Sequence, residues 1–159
     1  RDVCRRLLDR FHQPVLVEEY LPGREFTTGI LGTGAQARVL GTMDVRIRSD
    51  APTGDYSYQV KELCETFVTY APLEPGALRD AVETLALGCY RALECRDAGR
   101  VDIRLDAAGH PAFMEVNPLP GLHPTHSDLP MIAAQEGLSY QELVGAIVDS
   151  AVARMRAGA

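Results

Sequence analysis

The sequence predicts an α+β fold in which an antiparallel sheet packs with helices. Two strand-like runs, 25–32 and 37–47, are joined by the short turn segment "GTGAQ". This connection is too short for a crossover helix, so the two strands must be antiparallel. A second pair of strand-like runs, 99–106 and 111–117, surrounds the turn segment "AAGH". Helical periodicity elsewhere in the chain completes the α+β pattern.

The helices follow from apolar residues that recur three and four positions apart. They are predicted at residues 2–12, at residues 73–97, near residues 128–136, and from Ser139 onward. The apolar stripe of the second helix is predicted to be Leu78, Val82, Leu85, Cys89 and Leu93. The last helix starts with the capping box of Ser139 and Glu142. Its apolar face is predicted to be Leu143, Ile147, Ala151 and Met155.

Three further segments complete the order of elements. "PVLVEEYL", residues 14–21, reads as a strand that ends at the turn signal Pro22-Gly23. "ETFVTYAP", residues 65–72, is also predicted to be a strand. Residues 49–61 lack periodicity and are predicted to form a loop, and long loops inside domains are often functional.

Charge and composition exclude several classes of function. The chain has 16 Lys and Arg against 22 Asp and Glu, a net charge of −6, and no basic cluster, which argues against a nucleic-acid partner. It has no run of about 20 apolar residues, so no membrane span is expected. The four cysteines (Cys4, Cys64, Cys89 and Cys95) lack zinc-site spacing and are interpreted as reduced thiols of a cytoplasmic protein.

The runs 99–106 and 111–117 carry polar side chains on one face. Because side chains alternate along a strand, one face of the first run holds Arg100, Asp102 and Arg104. One face of the second run holds Phe113, Glu115 and Asn117. If Asp106 pairs with Pro111, the two faces meet. The facing pairs are then Leu105 with Ala112, Asp102 with Glu115, and Arg100 with Asn117.

Two carboxylates directly opposite each other destabilise a sheet unless a cation lies between them. Asp102, Glu115 and the amide of Asn117 are hard oxygen ligands, which suit Mg²⁺ or Mn²⁺. The alternative is a solvated sheet face with unrelated charges. Arg100 on the same face suits a developing oxyanion, and Gly121 can bring a backbone N–H close to a reacting oxygen. These two residues favour a functional site.

Several of these stretches resemble one known family. "GRVDIRLDAAGHPAFMEVNPLPGL" and "HSDLPMIAAQEGLSYQELV" resemble the C-terminal half of D-alanine–D-alanine ligases, which are ATP-grasp enzymes. "VLVEEYLPGREFTTGIL" resembles the part of that family that holds adenine and ribose. The resemblance runs from near Phe11 to near Val152. It implies that residues 1–159 form an ATP-grasp C-terminal subdomain, an antiparallel sheet with helices packed on one side.

The resemblance also implies roles in nucleotide binding. Glu18, Glu19 and Leu21 match the hinge that hydrogen-bonds the adenine edge, partly through backbone groups. Glu25 matches the acid that holds the ribose hydroxyls. Lys61 matches a mobile-loop lysine that closes over the phosphates. The expected cofactors are therefore ATP and Mg²⁺ or Mn²⁺.

The remaining roles concern the reaction itself. The resemblance implies the same three metal ligands as the hairpin register does. Arg100 and the backbone of Gly121 match groups that stabilise a tetrahedral intermediate, and Ser127 matches a serine near the carboxylate of the acceptor. The implied chemistry is ATP-dependent ligation of two small amino acids through an acyl phosphate, which yields D-alanyl-D-alanine for peptidoglycan. A homodimer of the intact protein is left open.

Two alternatives stay open at this stage. The residue after Lys61 is Glu62, where the ligases often have an aromatic hydroxyl, and "LHPTHSDLP" is about one residue longer than the family's loop. A related ligase with other amino-acid substrates is therefore one alternative, and a non-catalytic nucleotide-binding module is the other. The N-terminal domain and first half of the ATP-grasp are expected to lie outside this chain, which alone is expected to be inactive.

Overall fold

The computed structural model of the protein describes residues 1–47 and 68–157. Within these ranges the chain forms a five-stranded sheet in which all neighbouring strands are antiparallel, in the order β3-β2-β1-β4-β5. The strands are β1 (Glu25–Leu31), β2 (Arg38–Ile47), β3 (Val68–Pro72), β4 (Ala98–Leu105) and β5 (Pro111–Asn117). The predicted antiparallel sheet is confirmed, and the hairpin β4–β5 lies at one edge of it.

Four α-helices accompany the sheet in the described part of the chain. They are α1 (Asp2–Phe11), α2 (Ala77–Ala92), α3 (Asp128–Gln135) and α4 (Tyr140–Ala157). The predicted capping box of α4 is confirmed, because Ser139 Oγ lies 3.3 Å from the backbone nitrogen of Glu142, whose carboxylate accepts the Ser139 N–H at 2.8 Å. None of these helices is both long enough and apolar enough to cross a membrane.

Apolar side chains form one core on each face of the sheet. On one face, α2 packs against β1 and β4 through Phe26, Ile30, Val82, Tyr90 and Val101. On the other face, α3 and α4 pack through Leu31, Met43, Leu129, Ile132 and Leu143. The prediction that the helices pack on one side is therefore corrected, since β1 is buried on both faces.

The absence of a side chain at Gly29 on β1 lets Leu129 of α3 pack directly on the sheet. A Cβ at this position would lie 2.9 Å from Leu129 Cδ1, closer than side chains pack. Because Leu129 is the second residue of α3 and is fully buried, the first turn of that helix is fixed against the sheet. Gly29 pairs with Arg100 on β4, so this contact lies beside the polar hairpin.

The predicted strand at residues 14–21 is wrong. The structure has no strand there, and Leu16 and Val17 are 80% and 72% exposed. Backbone pairing with β4 begins only where Gly23 donates to the carbonyl of Leu105. A short apolar run has the composition of a strand, but only a neighbouring strand with free hydrogen-bonding groups makes it one.

The second predicted helix is shorter than expected, and its apolar stripe is partly different. It ends at Ala92 because Glu94 and Asp97 have left-handed backbone angles, with φ of 52° and 66°. Its fully buried residues are Val82, Ala86 and Tyr90, spaced four apart. Leu93 lies beyond the helix and is 54% exposed.

The tip of the β4–β5 hairpin differs from the predicted register. Leu105 pairs with Pro111 and not with Ala112, because the turn closes one residue earlier: Asp106 N–H donates to the His110 carbonyl at 2.9 Å. The Asp106 carboxylate accepts two further backbone N–H groups of the turn. A β-bulge at Met114 absorbs the one-residue difference.

Other predictions fall partly or wholly outside the described residues. The β3 strand confirms the second half of the predicted run 65–72. The loop predicted at 49–61 and the residue Cys64 lie outside the described ranges. The described cysteines (Cys4, Cys89 and Cys95) are free thiols, as predicted.

Asp97, directly before β4, connects the turn after β1 to α4 at the end of the sheet away from the hairpin tip. Its carboxylate accepts hydrogen bonds from Thr33 Oγ1 at 3.2 Å, Ser150 Oγ at 3.0 Å and Arg154 Nη2 at 2.7 Å. The hydrogen bond from Arg154 lowers the pKa of Asp97 most, burial opposes this, and the two hydroxyls lower the pKa further. The ionised carboxylate is therefore the form that stabilises the fold.

Asp97→Asn should lower the free energy of unfolding at pH 7 by about 1 kcal/mol, because the amide cannot replace the charged acceptor. A carboxylate with a lowered folded pKa contributes fully above its unfolded pKa of about 4 and loses that contribution at lower pH. Urea denaturation should therefore show a constant deficit from pH 7 to about pH 5 and a shrinking one below about pH 4. Asp149→Asn, an exposed acid on α4, is the control. A deficit that grows towards acid pH would contradict this role.

Candidate functional site

The β4–β5 pairing brings together the four polar side chains that were predicted to meet. Asp102 lies directly opposite Glu115, and Arg100 lies directly opposite Asn117. The bulge at Met114 lies on the tip side of these pairs, so the predicted register holds here. Both pairs are on the face of the sheet that also carries α3.

Arg100 lies between the carboxylates. Its Nη2 atom is 2.8 Å from Asp102 Oδ2 and 3.6 Å from Glu115 Oε1. Asn117 Nδ2 donates to Glu115 Oε1 at 3.0 Å, which ties the fourth member into the group. The repulsion between the two acids is thus partly balanced by a cation that the protein itself supplies.

Asp102 is the buried member of the group. Burial raises the pKa of its carboxyl to about 6, while the charge and hydrogen bond of Arg100 and the hydrogen bond from Thr27 oppose the rise. Thr27 Oγ1 on β1 donates to Asp102 Oδ1 at 3.1 Å. The nearby charge of Glu115 adds to the rise. A buried carboxylate beside a second carboxylate is an arrangement that a further cation would stabilise.

Arg100 has a third carboxylate partner, on α3. Its Nη1 atom donates to Asp128 Oδ2 at 2.6 Å, the shortest of its contacts with acids. Burial lowers the pKa of Arg100, but the charges of Asp102, Asp128 and Glu115, together with the hydrogen bond to Asp102, leave it raised. The Nε atom of Arg100 is buried and finds no hydrogen-bond partner among the described residues.

The predicted adenine hinge borders a cavity next to this group. Residues 18–21 and β5 enclose about 400 Å³, and the lining includes Glu18, Glu19, Leu21 and Glu115. Glu115 thus belongs both to the wall of this cavity and to the polar group on β4 and β5. A ligand in the cavity could reach both.

Arg104 fixes the other wall of the cavity. Its Nε donates to the carbonyl of Gly23 at 3.0 Å, and its guanidinium lies 5.6 Å from the centre of the Tyr20 ring. Its Nη1 is 3.9 Å from Glu25 Oε2, the residue predicted to hold ribose. Glu25 and Arg104 are paired residues of β1 and β4, so the predicted ribose ligand lies at the start of β1 beside the cavity.

Gly121 and Ser127 are in contact in the loop that follows β5. A Cβ on Gly121 would lie 2.6 Å from Ser127 Oγ. Ser127 Oγ accepts the backbone N–H of His123 at 2.9 Å and does not cap α3. The loop is therefore folded back on the start of α3, which carries Asp128 next to Ser127.

Two other predictions concern metals and the mobile loop. Across residues 1–47 and 68–157, no three His, Cys, Asp or Glu side chains are grouped so that they could hold a metal. The His123 and His126 rings lie 4.7 Å apart. The candidate cation site instead has two carboxylates and one amide. Lys61 lies outside the described residues.

Comparison with known proteins identifies the family. Residues 4–149 match the family model described as "D-ala D-ala ligase C-terminus". The chain belongs to this family. The resemblance seen in the sequence is thereby confirmed.

Relatives in this family include the D-alanine–D-alanine ligases of Bordetella petrii and Albidiferax ferrireducens. The first is 38% identical over 94% of this chain and 45% of its own length, and the second is 39% identical over 86% and 39%. The chain therefore spans less than half of the length of these D-alanine–D-alanine ligases.

Solved structures confirm the ATP-grasp C-terminal fold. The D-alanine–D-alanine ligase from Bacillus anthracis complexed with ATP matches 99% of this chain and 50% of its own, with a TM-score of 0.77 and 27% identity. The VanG D-Ala:D-Ser ligase from Enterococcus faecalis shares the fold over 84% of this chain and 37% of its own, with a TM-score of 0.63 and 22% identity.

Three residues in or beside the site were given no role in the sequence-based prediction. Thr27 was missed because the pairing of β1 with β4 was not predicted. Arg104 was placed on the correct face but given no role. Asp128 was missed because only the packing of α3 brings it to Arg100. An acid directly after Ser127, at the start of a predicted helix, was the one signal available.

Gly121→Ala should lower the free energy of unfolding by about 1 kcal/mol, because the new methyl group overlaps Ser127 Oγ and displaces it from its hydrogen bond with the His123 N–H. Adding Ser127→Ala removes that atom, so the double variant should lose less than the sum of the two single losses in urea denaturation. Gly145→Ala is the control, since its Cβ would meet no atom within 4 Å and should be neutral or stabilising. Strict additivity would show that Gly121 is not packed on Ser127.

Proposed function

We propose that the complete protein is an ATP-dependent D-alanine–D-alanine ligase that makes D-alanyl-D-alanine for peptidoglycan. The observation that carries the proposal is the direct pairing of Asp102 with Glu115, with Arg100 between them. Membership of the family and the names of the relatives supply the reaction. ATP is proposed as the nucleotide because the B. anthracis relative was solved with it.

The donor set fits a divalent cation. Asp102, Glu115 and the amide oxygen of Asn117 are hard ligands on paired strand positions. Three carboxylates, those of Asp102, Glu115 and Asp128, surround the single positive charge of Arg100. A divalent cation would balance the two excess negative charges. When bound, Mg²⁺ or Mn²⁺ would neutralise charge on phosphate oxygens.

The cavity beside β5 suits the nucleoside end of ATP. The Glu18, Glu19 and Leu21 segment lines the cavity and offers backbone groups for the adenine edge. Glu25, 3.9 Å from the cavity-lining Arg104, offers a carboxylate for ribose hydroxyls. Glu115 lines the same cavity, so a nucleotide that lies along it would point its phosphates towards the carboxylate pair. Lys61 is proposed to contact those phosphates.

In the first step a carboxylate oxygen of one D-alanine attacks the terminal phosphorus of ATP, ADP leaves, and an acyl phosphate forms. In the second step the amine of the other D-alanine attacks the acyl carbon. Arg100 and the Gly121 N–H stabilise the oxyanion of the tetrahedral intermediate, and Ser127 orients the acceptor carboxylate. The amine loses a proton, phosphate leaves, and a peptide bond remains.

The setting of this reaction is also proposed. ATP and free thiols are typical of the cytoplasm, where we place the protein. Its partners are small amino-acid substrates, and no nucleic-acid or membrane partner is proposed. A homodimer of the complete protein remains a prediction.

The substrate assignment can be tested by ADP release from the complete protein with ATP, Mg²⁺ and pairs of D-amino acids. D-Alanine alone should give the highest kcat/KM, with one dipeptide formed per ADP. Faster turnover with another pair would show a ligase of a different pathway. Nucleotide binding without ADP release under any pairing would show a non-catalytic module and overturn the proposal.

The cation ligands can be tested by Asp102→Asn and Glu115→Gln, separately and combined. Because each removes a charged ligand, each should lower kcat/KM by at least about 100-fold, and the double variant should show no Mg²⁺-dependent turnover. Circular dichroism should show an unchanged fold. Asp149→Asn and Glu74→Gln, both exposed, are the matched controls. Wild-type rates in the double variant would end the assignment of these ligands.

A further inference from the structure

Asp128, the first residue of α3, makes the shortest carboxylate contact of Arg100, 2.6 Å from Nη1. The side chains of both residues are about one quarter exposed. We propose that Asp128 is a positioning residue that holds the Arg100 guanidinium in place for ligation and keeps it out of the cation site. This inference rests on the function proposed above.

The guanidinium is held by its two terminal nitrogens. Nη2 faces Asp102 and Glu115, the two acids proposed as cation ligands, whereas Nη1 faces Asp128. The inner nitrogen, Nε, is buried and has no hydrogen-bond partner in the described part of the chain. Because nothing there anchors Nε, the contacts at Nη1 and Nη2 set the orientation of the planar group.

A cation at the carboxylate pair would change one side of this arrangement only. Asp102 and Glu115 would hold it, and its charge would repel the positive guanidinium that now contacts both residues. Asp128 is on the other nitrogen and comes from a different element, so its contact can persist. It is the one of the three acids that stays available to Arg100 when the pair is occupied.

Without Asp128 the carboxylate pair would be the only charged partners of the guanidinium among residues 1–47 and 68–157. It would then settle between Asp102 and Glu115, where it competes with the cation. The same shift would take it away from the reacting oxygens. Loss of Asp128 should therefore weaken cation binding and slow the reaction together.

The fold holds Asp128 firmly enough for this role. Leu129, the next residue, is fully buried against Gly29, whose pairing partner on β4 is Arg100. A negative charge in the first turn of a helix is also favourable. The distance between the helix start and the strand is therefore set by packing and not by the ion pair alone.

The test starts with Mn²⁺ affinity, measured by calorimetry on the complete protein without nucleotide. Asp128→Asn should weaken Mn²⁺ binding by about 3- to 10-fold and lower kcat by about 10- to 100-fold, the range for a lost charge-assisted hydrogen bond. Asp128→Glu, which keeps the charge, should recover part of both. Asp80→Asn, an exposed acid in the first turn of α2, should change neither and controls for helix-end charge.

A double-variant cycle with Arg100→Met separates an effect of Asp128 through Arg100 from a direct electrostatic effect of its charge on the bound cation. If Asp128 acts through Arg100, Asp128→Asn should weaken Mn²⁺ binding less in the Arg100→Met protein than in the wild type. Its effect on kcat should likewise vanish to within about 2-fold. Equal effects in both backgrounds would overturn the inference.

ADP release by the wild type and the properties of Asp128→Asn distinguish a wrong positioning role from a wrong function. If the wild type releases ADP with D-alanine but Asp128→Asn matches it in kcat and Mn²⁺ affinity, the positioning role is wrong and the function stands. If the wild type releases no ADP with D-alanine, the function is wrong. The Mn²⁺ cycle alone then decides whether Asp128 controls Arg100 at a cation site.

Discussion

The pairing of Asp102 with Glu115 is the constraint on which the rest of the site depends. Two acids face each other across adjacent strands, and Arg100 is the only positive side chain among the described residues that contacts both. Two further hydrogen bonds stabilise this arrangement. The Thr27 hydroxyl on β1 donates to Asp102, and Asp128 on α3 accepts from Arg100. Packing of α3 against Gly29 keeps Asp128 close to Arg100.

Position along the strand explains how the site connects to the cavity proposed for the nucleotide. Glu115 lies where β5 borders both the carboxylate pair and the segment that contains Glu18 and Leu21. Arg104, four residues along β4 from Arg100, fixes the far wall through Gly23 and Tyr20. The β4–β5 hairpin therefore carries the groups proposed to bind the phosphates of ATP. It also supports the segment proposed to bind the adenine base.

Local patterns were enough to predict some of this arrangement. Alternation along two strands placed Asp102 and Glu115 on faces that can meet. The register that paired them assumed that Asp106 faces Pro111, which is wrong, and the pair is nevertheless correct because the bulge at Met114 restores that register. The helices on both faces were missed, because Thr27, Thr28 and Gly29 interrupt the apolar run of β1 in the sequence, although the structure buries every residue from Phe26 to Leu31. The contact of Asp128 could not be predicted, because it depends on how α3 packs and not on spacing along the chain.

The bulge at Met114 has a consequence for how such a hairpin can vary. It lies between the tip and the carboxylate pair. Met114 is the extra residue of β5, so the pairing with β4 is shifted by one residue between the two sides of the bulge. A change in the length of the tip can be accommodated there without moving the acids to the wrong side of the sheet. The tip is thus free to diverge in sequence and size while the chemistry at the other end of the same two strands is preserved.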